Sequence, residues 1–354
     1  MKQRIKQCAK LLSQESISSL LISNPANIHY LTGVRGVDGY LLITREGRLI
    51  LFSNILNASQ LKKNNIWELV ISDFKNNIFH LISEKIARLK LKNTGFEAKH
   101  LPFLEYQTIR NDLSENNIKF IKTYDFLEKI RMFKTPSEVK LIKKSVAVSK
   151  EAFLFAEEIK DERMTEKHLA IEIEKFLKLK ADSELAFEAI VACGKNSAFA
   201  HHRPQETKLS EGNLLIDLGS RYYGYCADLT RVFFCSKMPI LFKEIFDTVK
   251  KAQELSISKI KDGARIADVD RAARQYIEKK GWGKNFTHGL GHGVGLSVHE
   301  PPYLRPNSDE VLKEGMVITV EPAIYIDNKF GVRIEDMVLV KGKTREVISC
   351  DGHR

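Results

Sequence analysis

The sequence predicts an α/β (α+β) protein of two domains, one over residues 1–130 and one over residues 131–354. Three observations carry that expectation. Residues 1–130 alternate short apolar runs, bounded by Asn, Gly or Ser, with amphipathic stretches, as strands interleaved with helices do. "TPSE" at Thr135–Glu138 reads as a helix start just beyond that region, with Thr at the N-cap, Pro in the first turn and Glu reaching back. After it, helical segments are separated by apolar strands that come in pairs.

In chain order, a helix is expected near residues 3–15, followed by the strands "SSLLISN", "YLLIT" and "RLILFS". Helical patterns follow around residues 56–64 and 75–90, then the strand "TGFEA", a helix after Pro102 and the strand "IKFIKTY". His29 and Asp38 are isolated polar residues and read as turn or surface positions. In the second domain the helix begun at Thr135 runs through "VKLIKKSVAVSKEAFLFAEEI". Thr165 caps the next, with Ile171, Ile173 and Leu177 among its apolar positions. "PILFKEIFDTVKKAQELSISKI" and "IADVDRAARQYIEKK" form two more, the latter stopped by Gly281.

Bulk properties narrow the function. The 354 residues are 43% hydrophobic and 29% charged, a globular composition. No apolar run reaches the length of a membrane span, and the basic, amphipathic start lacks the apolar core of a secretion signal, so a cytoplasmic protein with no membrane partner is expected. Cys8, Cys193, Cys226, Cys235 and Cys350 are scattered without a C-x-x-C pair and read as reduced packing residues. The net charge of +11 is spread out: residues 1–130 hold 19 basic and 12 acidic residues, the remainder 37 and 33. No dense basic tract with interleaved aromatics exists, which argues against nucleic acid as a partner.

"FTHGLGHGVGLSVHE", Phe286–Glu300, is the first sign of chemistry. Gly289, Gly291, Gly293 and Gly295 would together cost a helix roughly 4 kcal/mol, so a tight non-helical backbone presenting histidines is expected. The stretch also misses the dinucleotide pattern G-x-G-x-x-G, because residue 294 is Val. Two strand pairs carry acids in apolar runs. "NLLIDLG" and "GYCADLTRVFF" hold Asp217 and Asp228; "MVITVEPAIYI" and "GVRIEDMVLV" hold Glu321 and Glu335 on adjoining strands. A buried, unpaired carboxylate loses several kcal/mol of solvation, and neighbouring carboxylates repel. Either each acid finds its own Arg or Lys, or the four share two divalent cations, with His292 adding a neutral nitrogen. Oxygen-rich ligation with one imidazole suits Mn²⁺ best, with Co²⁺, Zn²⁺ and Fe²⁺ as alternatives.

These segments, with "KTPSEVKLIKKS" and a separate N-terminal domain, resemble the proline-specific branch of the pita-bread metallopeptidases, the Xaa-Pro aminopeptidases and Xaa-Pro dipeptidases. The resemblance implies a creatinase-like α/β N-terminal domain that limits substrate length and makes oligomer contacts, in a homodimer. It implies a C-terminal pita-bread domain with helices packed on a curved, mainly antiparallel sheet. Carried over by position, Asp217 resembles a bidentate ligand of one metal, Asp228 and Glu335 the bridging carboxylates, and His292 and Glu321 the ligands of the other metal. His201 matches a histidine on the rim of the site; His288 and His299 match histidines that contact substrate. Arg333 resembles an arginine supporting the metal carboxylates, and Tyr325 a tyrosine near the proton-transfer path. His202 has no counterpart and reads as a surface residue. The implied activity is removal of the residue before proline from peptide N-termini, with aminopeptidase slightly favoured over dipeptidase. The remote alternative is an inactive member of the fold that binds protein or nucleic acid.

Overall fold

The computed structural model describes residues 1–61, 66–234 and 239–350. The chain divides into two compact units, Met1–Ile130 and Arg131–Arg354.

In the first unit, strands β1 (Ser19–Ile22), β2 (Gly39–Thr44), β3 (Leu49–Asn54), β4 (Glu68–Ser72), β5 (Asn93–Glu97) and β6 (Lys119–Thr123) form one mixed sheet. Its order is β4-β3-β2-β1-β5-β6, with β2 antiparallel to both neighbours and the other pairs parallel. Helices α1 (Lys2–Gln14), α2 (Pro25–Thr32), α3 (Ala58–Leu61), α4 (Ile78–Arg88) and α5 (Phe103–Glu115) alternate with the strands, and the short α6 (Glu128–Arg131) follows. Leu21, Leu42, Ile50 and Phe52 of the sheet pack with Ile82, Ile86, Ile109 and Leu113 of α4 and α5.

Three elements of this unit, α2, β4 and the short α6, lack a sequence signal. α2 has eight residues, too few to show a period, yet it is well delimited: Asn24 accepts from the Ala26 amide at 3.0 Å, and Gly33 ends it at φ +74°. β4 lies half-buried at the sheet edge. The helix expected around residues 56–64 is described over Ala58–Leu61, and residues 62–65 lie outside the described residues. Asp38 is exposed as expected, whereas His29 lies half-buried on α2.

Glu97, at the end of β5, is buried and accepts from the amides of Ser23 (2.8 Å) and Asn24 (2.7 Å) and from Asn27 Nδ2. Burial outweighs these donors and, with the Glu128 charge, pushes its pKa up from the ordinary 4.5 to about 7. Between those values the folded chain holds a proton that the unfolded chain has released, so stability falls as pH rises through the window. Glu97→Gln is expected to flatten that decline in urea unfolding followed across the same range; an unchanged slope would assign it to other groups.

The second unit holds α7 (Pro136–Ile159), α8 (Glu166–Leu179), α9 (Ile240–Lys259) and α10 (Ile266–Lys279). Its strands are β7 (Ser183–Leu185), β8 (Ile190–Cys193), β9 (Asn213–Leu218), β10 (Ser220–Tyr222), β11 (Tyr225–Cys226), β12 (Leu229–Phe234), β13 (Gly291–Gly293), β14 (Glu300–Leu304), β15 (Val317–Val320), β16 (Ala323–Ile326), β17 (Phe330–Arg333), β18 (Asp336–Val340) and β19 (Arg345–Val347). The expected antiparallel sheet is present in four hydrogen-bonded pieces: β11-β10-β7, β12-β9-β8, β14-β13-β15-β18-β19 and β16-β17. Phe242, Ile245 and Val249 of α9 and Val269, Ala273 and Ile277 of α10 pack with Ile318, Val320, Ile324, Val332 and Val338 of the strands.

The helix signals behave as read. Thr135 and Glu138 complete a capping box, with the Thr135 amide donating to Glu138 Oε2 at 2.9 Å. Thr165 caps α8 by accepting from the His168 amide at 3.2 Å, and Gly281 follows α10 at φ +87°. Ile171 is a correction: it is 53% exposed, because the buried face of α8 runs through Leu169, Ala170, Ile173 and Leu177 and a residue two positions from that row faces away. Cys8, Cys193 and Cys226 are buried as expected. Cys350 is exposed, contrary to the packing role expected of it, because it follows the last strand; Cys235 lies outside the described residues. Among the described residues no helix is long and apolar enough to cross a membrane.

Candidate metal centre

Three of the four acids lie where two hairpins break. β9 passes into β10 through Gly219, and β11 into β12 through Ala227 and Asp228; β15 passes into β16 through Glu321 and Pro322, and β17 into β18 through Ile334 and Glu335. The expectation that Glu321 and Glu335 sit on adjoining strands therefore needs correction. Val320 pairs with Asp336 and Ala323 with Arg333, so both glutamates fall in the gap between two ladders. Asp217 alone lies within a strand, opposite Thr230, with Asp228 just before β12. A break leaves main-chain carbonyls without ladder partners, and buried carbonyls need donors. Gln253 on α9 supplies one: its amide nitrogen lies 3.1 Å from Val320 O, Ile334 O and Asp336 Oδ2 alike.

The Phe286–Glu300 stretch is non-helical as expected, with only β13 regular. Its glycines are required by close approach. A Cβ on Gly291 would stand 2.2 Å from Thr319 O, and one on Gly293 2.3 Å from Pro301 O. This tight seam holds His292 opposite Tyr303. His292 Nδ1 lies 3.1 Å from Gly293 O, which leaves Nε2 towards the acids, 3.3 Å from Glu321 Oε1 and 3.5 Å from Asp228 Oδ2. The loop bearing His288 hangs on α10. Arg274, paired with buried Asp270, donates to Phe286 O (3.2 Å) and His288 O (2.8 Å).

Candidate ligand atoms gather in overlapping triads: Asp217, Asp228 and Glu335; His292, Glu321 and Glu335; and Asp228, His292 and His299, each within 4.8 Å. Arg333 offsets part of this charge. Its Nη2 donates to Asp217 Oδ2 at 2.6 Å, its Nη1 to the Tyr325 hydroxyl at 2.7 Å, and its Nε to Thr230 Oγ1 at 3.0 Å; Thr230 in turn donates to Glu335 Oε2 at 2.8 Å. Asp217 Oδ1 and Glu335 Oε1 are buried without a hydrogen-bond partner.

The electrostatics follow from that crowding. Burial, then repulsion from neighbouring carboxylates, raises the pKa of Asp228 and Glu335 well above the usual range; burial raises Asp217 too, against the pull of Arg333. Burial also acts on Glu321, but the hydrogen bond and charge of His292, with His288 and Arg333, outweigh it and hold Glu321 low. Burial lowers His288 and His299 and so favours neutral imidazoles. Burial raises Tyr325, keeping its phenol protonated. Orphaned carboxylate oxygens, three acids raised by burial and then by mutual repulsion, and an imidazole nitrogen aimed at them are a donor set that divalent cations fit.

All the expected site residues border one cavity of about 800 Å³: Asp217, Asp228, His292, Glu321 and Glu335, with His201, His288, His299, Tyr325 and Arg333. His288 Nδ1 lies 2.7 Å from Gly289 O, and its ring stands 5.8 Å from that of Tyr325. The His299 ring meets His292 edge-on at 4.2 Å. The same wall carries residues that pattern reading missed: Phe187, Ile190, Val298 and Tyr303 are its apolar part, and Arg305 brings a guanidinium 5.0 Å from the Tyr303 ring. A basic residue five beyond the His299-Glu300 pair follows no periodic pattern, so Arg305 carried no signal. His202 overturns its expected surface position. It is buried, with Nε2 2.8 Å from Glu166 Oε2, because a carboxylate at the start of α8 is there to receive it.

Residues 140–342 match the model of metallopeptidase family M24, and residues 4–133 that of the creatinase/prolidase N-terminal domain. The chain belongs to metallopeptidase family M24. Divalent cations are thus the family's cofactor class, and this M24 chain has a donor set for them. It is similar to an Xaa-Pro dipeptidase of Pyrococcus furiosus, at 34% identity over 96% of the chain and 95% of the relative. Among solved structures, an Xaa-Pro dipeptidase from Bacillus anthracis superposes with TM-score 0.93 at 30% identity, covering 100% of this chain and 98% of the other. An X-Pro aminopeptidase from Thermotoga maritima superposes with TM-score 0.87 at 30% identity, covering 98% and 99%.

Proposed function

We propose that this M24 chain is an Xaa-Pro dipeptidase whose two divalent cations, manganese foremost, are held by Asp217, Asp228, His292, Glu321 and Glu335. One observation carries the reading: the acid cluster shares its cavity with Arg305. In a two-residue substrate the proline carboxylate lies one residue from the scissile bond, and a guanidinium in the same wall is the natural partner for it. Relatives named Xaa-Pro dipeptidase support this choice over the aminopeptidase favoured by the sequence reading. The Thermotoga relative keeps the aminopeptidase as the second reading.

The chemistry such ions supply is polarisation of the scissile carbonyl and acidification of water. The protein does the rest. Glu321, held ionised, takes the proton of the attacking water and delivers it to the proline nitrogen, which has no N–H of its own and needs a proton to leave. His201 and His299 hydrogen-bond the carbonyl oxygen as it gains charge. His288 borders the substrate, and Arg333 fixes the Tyr325 hydroxyl beside it. Residues 1–130 limit substrate length and contribute to a homodimer.

The test compares an Xaa-Pro dipeptide with an Xaa-Pro-Yaa tripeptide in added Mn²⁺. The dipeptide is expected to have a kcat/KM at least about 10-fold higher, and Arg305→Ala to raise the dipeptide KM about 10-fold or more through loss of a charge-assisted contact worth roughly 1.5–3 kcal/mol. Preference for the tripeptide, unaffected by Arg305→Ala, would establish the aminopeptidase instead.

A further inference from the structure

We infer that Glu166 and His202 form a positioning pair that sets His201 at the rim of the site, an inference that rests on the proposed substrate-facing role of His201. The segment from Cys193 to Lys208 leaves β8, brings Ala200 and His201 to the cavity wall and returns to the start of α8. A short 3₁₀ turn at Gly194–Ala198 is its only regular piece, so side chains must fix its path.

Glu166, the first residue of α8, is fully buried and gathers both arms of the segment. Its Oε1 accepts from the Cys193 amide at 2.6 Å and Asn196 Nδ2 at 3.0 Å. Its Oε2 accepts from His202 Nε2 at 2.8 Å and the Gln205 amide at 3.0 Å. A buried carboxylate with four donors is fully satisfied, and losing one leaves charge without its partner. The opposite flank is tied to the catalytic strands: Ser197 Oγ accepts from the Gly331 amide at 2.8 Å and Asn213 Nδ2 at 3.0 Å, and Ala200 O from Arg333 Nη1 at 3.2 Å. His201 is exposed at the apex and its neighbour His202 is buried beneath. The direction of the His201 ring is thus a property of the backbone that His202 holds to Glu166.

Hydrolysis of an Xaa-Pro dipeptide is measured first in the unaltered chain loaded with Mn²⁺. His202→Ala is then expected to lower kcat by about 10- to 100-fold, the usual effect of displacing a reacting-centre contact by roughly an ångström, with KM little changed. His202→Gln, whose amide nitrogen reaches as far as the imidazole Nε2, is expected to restore kcat to within about 3-fold. The double variant His201→Ala/His202→Ala should be no slower than His201→Ala alone, because a pair acting through one group is not additive. Thermal melts accompany each variant. If His202→Ala loses its cooperative transition, His202→Asn, too short to reach Glu166, replaces it in the cycle. Losses that multiply, or a lowered melting temperature with unchanged kcat, would make the pair merely structural and overturn the inference. An inactive unaltered chain removes the dipeptidase reading and the inference together; an active one with an additive cycle removes only the inference.

Discussion

Glu335→Gln will leave a folded chain whose Xaa-Pro hydrolysis falls by more than about 1,000-fold. The carboxylate belongs to two of the triads of candidate ligand atoms, and one of its oxygens is buried without a partner. Electrostatic stabilisation by bound cations is worth several kcal/mol, and each 1.36 kcal/mol is tenfold in rate. The fold should survive, because the amide keeps the size of the carboxyl and relieves repulsion in a crowd of acids. Asp228→Asn should behave alike. Turnover within about 10-fold of the unaltered chain in either variant, with metal content unchanged, would refute the assignment of these residues as shared ligands.

The second large effect is on stability. Removing divalent cations with a chelator is expected to lower the melting temperature by on the order of 10 °C, since a ligand at a thousand times its Kd contributes about 4 kcal/mol. The loss should grow with pH. Asp217, Asp228 and Glu335 have folded-state pKa values raised above those of the unfolded chain, chiefly by burial. Without cations the folded chain therefore binds more protons from the ordinary carboxylate range upward, and its stability falls as pH rises through that range. Cations compensate the ionised acids and should remove that slope. Calorimetry at several pH values with and without Mn²⁺ checks this; parallel curves would mean that the acids find their compensation within the protein.

Much of this was legible in the sequence, and the divide has a physical basis. Local signals read correctly: the Thr135–Glu138 capping box, the Thr165 cap, and glycines too dense for a helix in Phe286–Glu300. The acids and His292 stood out because a charge in an apolar run is costly wherever it occurs. What stayed hidden depends on partners far apart in sequence. Gln253 looks like an ordinary helix residue until two strand breaks are found 67 and 81 positions away. His202 reads as surface unless Glu166, 36 residues earlier, is known to lie beneath it. Arg274 and Arg305 likewise acquire meaning only from the loop and the cavity they border.

The seam at Gly291 and Gly293 has a consequence for how this enzyme could diversify. In each, the α-hydrogen that a side chain would replace faces a neighbouring strand's carbonyl oxygen at a distance that no methyl group could occupy. The wall bearing His292 is thus closed to mutational drift, whatever peptide is being selected for. New preferences have to enter through Phe187, Ile190, Val298, Tyr303 and Arg305, whose side chains border the cavity. Randomised libraries confined to those five positions should yield altered specificity far more often than libraries that touch the seam.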